Sequence, residues 1–187
     1  MIDAEPLIGE PLALDLVNTR SAVGDLLETP AQLAHWLRLQ TERIPGATGR
    51  PTRDDLAMVR AVREHTTTAL EALLHARRPP AAALRALDEA RSAAPATPHL
   101  EWNGRSVVSV VRRNGSPGAR LAAVLADAAA DLLTDPRITE LRRCAADDCV
   151  LLFLPNHPRR QWCSPERCGN RARVARYYQR HKPAPNP

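Results

Sequence analysis

Cysteine is absent from the first 143 residues of this 187-residue chain, and aromatic residues make up only 3% of it. With so few aromatic side chains, the core has to consist mainly of Leu, Val and Ala, which favours helices. No run approaches the roughly 18 apolar residues of a membrane span, and residues 1–10 lack the basic and apolar regions of a signal peptide. These absences argue against a membrane protein and a disulfide-rich secreted protein, and they predict a cytoplasmic chain with reduced cysteines.

Charge is distributed unevenly along the chain. Residues 1–140 hold 16 basic and 18 acidic residues, whereas residues 141–187 hold 10 basic and 3 acidic ones. All the basic residues except Lys182 are arginine, a preference that a GC-rich genome also produces, so arginine content alone is no sign of phosphate binding. The placement is more informative, because a basic segment on a near-neutral body is typical of a module for nucleic acid or an acidic partner.

The first two thirds of the chain have mainly helical patterns. Helices are predicted over residues 30–40, 52–77, 80–93 and 119–133, with Thr29 and Thr52 as N-caps and with Leu84 and Leu87 pointing inward on the third. Residues 100–112 predict a β-hairpin in which Asn103-Gly104 is the central pair of a type I′ turn. Residues 12–18 fit either a short buried strand or a buried helix.

The four cysteines form two C-x4-C pairs separated by thirteen residues: Cys144, Cys149, Cys163 and Cys168. Thiolates are soft ligands, and four of them suit one tetrahedral Zn²⁺ with no open position for catalysis. Residues 150–154 and 161–163 predict the strands of a hairpin, and Ser164-Pro165 predicts the start of a helix that carries the last cysteine. Disulfides, an iron–sulfur or redox role and replacement of one ligand by His157 are the alternatives.

These patterns predict a mainly α body with a small β-hairpin (α+β), followed by a treble-clef-like zinc finger. The predicted domains are a mostly helical body over 1–138, the four-cysteine zinc finger over 139–182 and a disordered tail over 183–187.

The helix that follows the last cysteine has a basic face. Arg173, Arg176 and Arg180 fall within about 60° of each other at 100° per residue, whereas Val174, Tyr177 and Tyr178 occupy another arc, which should pack against the zinc core. Guanidinium groups pair with phosphates and guanine edges, and a helix fits the major groove. The candidate nucleic-acid-binding residues are Arg159, Arg160, Asn170, Arg171, Arg173, Arg176 and Arg180. A merely solvated face is the alternative, and Asn170 and Arg171 could instead hydrogen-bond the knuckle loops.

Two sequence motifs resemble those of known families. Cys168-Gly169-Asn170-Arg171, preceded by Arg143-Cys144, Leu152-Phe153-Leu154 and Trp162-Cys163-Ser164, resembles the CGNR zinc-finger family. Residues 12–19, Leu-Ala-Leu-Asp-Leu-Val-Asn-Thr, look like the opening of the ABATE domain, which commonly precedes that finger. The resemblance implies a bacterial, stress-induced transcription regulator with a ligand- or partner-sensing body and a DNA-binding finger.

Three classes of function differ in how well they fit the sequence. The leading hypothesis is a DNA-binding regulator, with DNA, a small-molecule effector and a second copy of the chain as partners. The alternative is an RNA-binding or protein-interaction zinc module, in which Trp162, Tyr177 and Tyr178 could stack on bases or else pack over the zinc site. An enzyme is not expected, since the scattered histidines and carboxylates form no catalytic pattern and no catalytic residue is predicted.

Two polar residues stand out in the apolar segment at 12–18. Buried polar groups need partners, so Asp15 and Asn18 could line an effector pocket. Alternatively, they cap the local backbone.

Overall fold

The computed structural model describes residues 8–45 and 49–181. The predicted disordered tail lies outside those residues. The helices are α1 (Leu12–Val17), α2 (Pro30–Leu39), α3 (Arg53–Leu74), α4 (Ala81–Ala93), α5 (Pro117–Thr134) and α6 (Asn170–Arg180). The strands are β1 (Arg20–Ser21), β2 (Gly24–Asp25), β3 (Ala96–Trp102), β4 (Val107–Arg113), β5 (Arg142–Arg143) and β6 (Leu152–Phe153), paired antiparallel in chain order. The predicted fold class, mainly α with small sheets and a C-terminal four-cysteine module, is confirmed.

Side-chain caps begin the longer helices where the sequence predicts them. The Thr29 hydroxyl accepts a hydrogen bond from the Gln32 backbone N–H, and the Gln32 side chain accepts one from the Thr29 backbone N–H, which forms a capping box. Thr52 and Asp55 cap α3 in the same way. This helix ends at Leu74, earlier than predicted, because Ala76 takes a left-handed φ of 51° and the chain turns away.

The core lies where α1, α3 and α5 meet. Residues 12–18 form a helix rather than a strand, and Leu14 and Leu16 of α1 are completely buried. On α4, Leu87 points inward as predicted, but the prediction for Leu84 is wrong, since 39% of this residue is exposed. The buried stripe of α4 runs through Ala83 and Leu87, and Leu84 lies at its edge.

The predicted β-hairpin is present and longer than expected, with seven residues in each strand. Its turn differs from the prediction. Asn103 and Ser106 close the turn through a backbone hydrogen bond of 3.1 Å, so Gly104 and Arg105 are the central pair. Gly104 has a φ of 93° and Arg105 does not adopt positive φ, so this is not a type I′ turn, which needs positive φ at both central residues. The Asn103 side chain accepts from the backbone N–H groups of Arg105 and Ser106.

The C-terminal module is joined to the body through a shared core and a buried amide. Leu152 and Leu154 belong to the same buried apolar cluster as α1, α3 and α5. The Asn18 side chain donates to the Leu152 carbonyl (2.8 Å) and accepts from the Leu152 N–H (2.9 Å). The strand partner of β6 is β5, so the predicted pairing of residues 150–154 with 161–163 is wrong.

Within the described residues, no helix combines the length and the apolar character that crossing a lipid bilayer requires.

Replacing Asn18 with Ala should lower the free energy of unfolding by about 2–4 kcal/mol. The change leaves the buried N–H and carbonyl of Leu152 without their side-chain partners, and each such group costs about 1–3 kcal/mol. Urea unfolding of the zinc-loaded protein measures the loss. Asn156→Ala, an exposed asparagine of the same module, is the matched control and should stay within about 0.5 kcal/mol of wild type. An equal, small effect of both changes would contradict the role given to Asn18.

Candidate metal centre

The four cysteine sulfurs converge on one point. All four Sγ atoms of Cys144, Cys149, Cys163 and Cys168 lie within 4.8 Å of one another. Cys163 Sγ is 3.8 Å from that of Cys149 and 3.5 Å from that of Cys168. A tetrahedron with Zn–S bonds of about 2.3 Å has edges of about 3.8 Å, so the donor set fits Zn²⁺ in both chemistry and size. His157 is exposed and outside this cluster, so the structure does not support it as a replacement ligand.

The backbone holds the ligands in two knuckles. Cys144 directly follows β5, and its N–H donates to the Leu151 carbonyl. The N–H of Cys163 donates to Cys144 Sγ at 3.4 Å, which ties the second pair to the first. Ser164 accepts from the Arg167 N–H as the predicted N-cap, but Cys168 lies on a wide π-helical turn, Pro165–Gly169, before α6 begins.

Crowding of the sulfurs makes several thiolates unfavourable together. Hydrogen bonds from Cys149 and Cys163 lower the pKa of Cys144. The hydrogen bond to Cys144 in turn raises the pKa of Cys149 to about 12, and hydrogen bonds to Cys144 and Cys149 raise the pKa of Cys163. A divalent cation offsets the repulsion between thiolates, so metal binding and deprotonation go together here.

Arg171 supports the metal centre instead of facing solvent freely. Its guanidinium donates to Cys168 Sγ at 3.3 Å and forms an ion pair with Asp148 of the first knuckle at 3.0 Å. Of the two roles left open for Arg171, the structure shows the contact with the knuckle loop. Partners that donate to a ligand atom fix its orientation and tune the metal affinity.

Arg160 is also occupied inside the protein. Its guanidinium forms an ion pair with Glu10 of the body at 2.6 Å and donates to the carbonyls of Leu154 and Cys163. It also lies 4.5 Å from the centre of the Phe153 ring. Arg160 thus ties the module to the body, and these internal partners leave its guanidinium few donors for the predicted contact with nucleic acid.

Asp15 and Asn18 both have internal partners. Asp15 accepts from the backbone N–H groups of Gly9 and Glu10 and pairs with Arg43. Burial raises the pKa of the Asp15 carboxyl, and Arg43 partly counteracts it. Asp15 is therefore the local backbone cap that was one of its two predicted roles, whereas Asn18 binds Leu152. An effector role for either residue has no support in this geometry.

Glu10 is a functional residue that sequence reasoning missed. One of its carboxylate oxygens accepts from the Leu154 N–H at 3.0 Å, and the other binds Arg160. Only its place just before the apolar segment could have drawn attention to it, because both partners lie more than 140 residues away.

Most of the basic helix α6 is exposed and lies away from the metal centre. Arg173, Arg176 and Arg180 are exposed, and none pairs with an acidic side chain among the described residues. Arg176 lies 5.9 Å from the Trp162 ring, which packs on the cysteine cluster. The prediction that Val174, Tyr177 and Tyr178 pack against the zinc core is wrong, because 53%, 56% and 68% of them are exposed. Arg159 and Asn170 are exposed as well.

A four-cysteine treble-clef-like module on a helical body defines the class, a metal-binding zinc-finger protein. The family model for ABATE, described as "putative stress-induced transcription regulator", matches residues 10–136, and the model for the CGNR zinc finger matches residues 140–181. The chain therefore belongs to the ABATE family and carries a CGNR zinc finger. Both families are regulatory or zinc-finger types and not enzyme families. A search of curated proteins finds no match.

Arg171→Ala should weaken zinc binding about 10- to 100-fold, the usual effect of removing a partner of a metal ligand. Zinc transfer to a coloured chelator, followed at several chelator concentrations, measures the change. Arg173→Ala removes the same charge two positions further along and should leave zinc transfer unchanged. If both variants release zinc equally fast, the contact between Arg171 and Cys168 contributes nothing specific.

Proposed function

We propose that this chain is a cytoplasmic transcription regulator that binds DNA through its zinc finger. One structural Zn²⁺ on the four cysteines would hold α6 at a fixed angle to the body. Four protein ligands fill a tetrahedral site, so the metal supplies folding stability rather than catalysis. The match to a family described as transcription regulators supports this function.

The proposal rests on the exposed arginines of α6. Arg173, Arg176 and Arg180 lie on one side of a helix that projects from the metal centre, with no acidic partner among the described residues. Exposed guanidiniums without an acidic partner can contact phosphates and base edges in a major groove. Arg159 in the preceding turn and Asn170 at the start of α6 are exposed and complete the proposed nucleic-acid surface.

The acidic residues of the module reduce the positive charge of this surface only weakly. Asp148 is paired with Arg171, and Glu166 accepts a hydrogen bond from Ser164. The charge of Asp148 is thus offset locally, whereas Glu166 accepts from a neutral hydroxyl and keeps its charge. Residues 141–187 still hold 10 basic residues against 3 acidic ones, so the potential offered to a polyanion stays positive.

We also propose that the body senses a small-molecule effector, and a cleft in the body supports this. It has a volume of about 720 Å³ and lies between the end of α2, the start of α3, β4 and the start of α5. Apolar side chains such as Leu37, Leu121 and Val124 line it, together with Arg50 and Arg120, which have no acidic partner among the described residues. Neither Asp15 nor Asn18 borders this cleft, so an effector would bind away from both residues.

The double change Arg173→Ala/Arg176→Ala should weaken binding to mixed-sequence duplex DNA at least tenfold at low salt. Each lost phosphate contact should also reduce the slope of log affinity against log salt by about 0.9. Fluorescence anisotropy at four or five salt concentrations measures both quantities on the zinc-loaded protein.

The control is Arg77→Ala/Arg78→Ala, which removes two exposed arginines of the body. It lowers the net charge equally and should change neither affinity nor slope appreciably. Equal losses for both double variants would mean that total charge, and not the α6 face, attracts DNA.

Exposed tyrosines favour a second candidate, binding to single-stranded RNA or DNA. Tyr177 and Tyr178 have more than half of their surface exposed beside the arginines, and aromatic side chains stack on unpaired bases with about 1–3 kcal/mol per base. Tyr177→Leu/Tyr178→Leu should then weaken binding to a single strand and spare the duplex. Tighter binding to duplex, unaffected by this change, would reject the second candidate.

A further inference from the structure

The β3–β4 hairpin projects from the body with an uncovered apolar side. Residues directly opposite in an antiparallel pair share a face, so the register pairs Trp102 with Val107 and Leu100 with Ser109 on one side. We call the outer part of this side, formed by Pro98, Leu100, Trp102, Val107, Ser109 and Val111, the apolar hairpin face. Nearer the body the same side continues to Ala96 and Arg113, and Arg113 is paired there with Asp127. The opposite side carries His99, Glu101 and Arg112 together with Val108 and Val110. Glu101 and Arg112 form an ion pair of 2.7 Å on this side, and Val110 is only 36% exposed.

The exposed area of this face is comparable with the largest apolar patch of a typical monomer. The exposed fractions are 79% for Leu100, 66% for Trp102, 65% for Val107 and 63% for Val111. Together these side chains leave on the order of 450 Å² of apolar surface in water, given about 150–250 Å² for a whole aromatic residue. The largest patch on a typical monomer is about 300–600 Å² and often binds something. A two-stranded hairpin alone is also only marginally stable.

The shape of the face fits a second copy of itself. Large side chains, Leu100 and Trp102, lie on β3, whereas the smaller Val107, Ser109 and Val111 lie on β4. A two-fold axis parallel to the strands places β3 of one hairpin over β4 of the other, so that large residues face small ones, as close packing requires. None of the six residues is charged, which suits the centre of an interface.

We propose that the apolar hairpin face is a homodimer interface in which two hairpins pack face to face. The face supplies about half of the ~800 Å² that each partner buries in a standard interface, and the polar surface around it supplies the rest. The dimer would carry two copies of α6, matching the paired half-sites that small DNA-binding modules use. Only this last consequence rests on the proposed function, since self-association does not require DNA.

Sedimentation equilibrium of the zinc-loaded full chain tests the proposal without any nucleic acid. We expect wild type to form a dimer at micromolar concentration and Leu100→Glu to raise its dissociation constant at least 100-fold, because the symmetric contact loses two leucines and gains two buried charges. His99→Glu adds the same charge to the neighbouring position on the opposite face and should leave the dimer intact. Leu100 is so exposed that its replacement should not unfold the body.

Trp102 provides a second readout. Of the three tryptophans, only Trp102 lies in the hairpin, so its emission should shift to shorter wavelength as the protein concentration rises, and the Trp102→Ser variant should lose this change and dissociate. A wild type that stays monomeric at about 100 μM, a concentration at which a standard interface is dimeric, would overturn the proposal. So would a dimer that Leu100→Glu and His99→Glu affect equally, since its interface would then lie elsewhere.

Discussion

The C-terminal third of the chain depends on four sulfur atoms held within 4.8 Å of one another. That arrangement is unfavourable for several thiolates without a cation, and it becomes favourable when Zn²⁺ binds. The consequences reach beyond the module, because Leu152 and Leu154, which follow the first knuckle, complete the apolar core of the body. Metal binding and packing of the body are therefore coupled through two leucines, and the zinc finger is not an independent appendage.

Buried polar contacts also couple the body to the cysteine module. Asn18, at the end of α1, hydrogen-bonds both backbone groups of Leu152, and Glu10 links the Leu154 N–H to Arg160. A displacement of α1 would have to break these bonds or move β6 with it, since buried groups without partners are costly. Asn18, which looks like a ligand contact in the sequence, is thus part of the joint between body and finger.

Several local features of this fold could be predicted from sequence, whereas long-range partners could not. The exceptions are the turn at residues 103–106 and the strand partner of β6. Helix starts at Thr29 and Thr52 depend on residues three positions away, and the cysteine spacing limits the geometry of its own loops. The partners of Asn18 and Glu10 are 134 to 150 residues distant, and nothing in the local pattern identifies them. For α6, a helical projection shows which residues share a face, but it cannot show whether another element covers that face, which is why Tyr177 and Tyr178 were misplaced.

The arginines of the finger also differ in whether they have partners inside the protein. Arg160 and Arg171 stabilise the module. Arg160 forms an ion pair with Glu10, and Arg171 forms one with Asp148 and donates to Cys168 Sγ. Arg173, Arg176 and Arg180 keep their charge available, so the potential offered to a polyanion is smaller than the composition suggests. A single helix with three such residues makes few phosphate contacts and binds weakly on its own. In a dimer, binding of one α6 helix raises the effective concentration of the other at its half-site. Weak binding by each finger is therefore consistent with dimerisation through the apolar hairpin face.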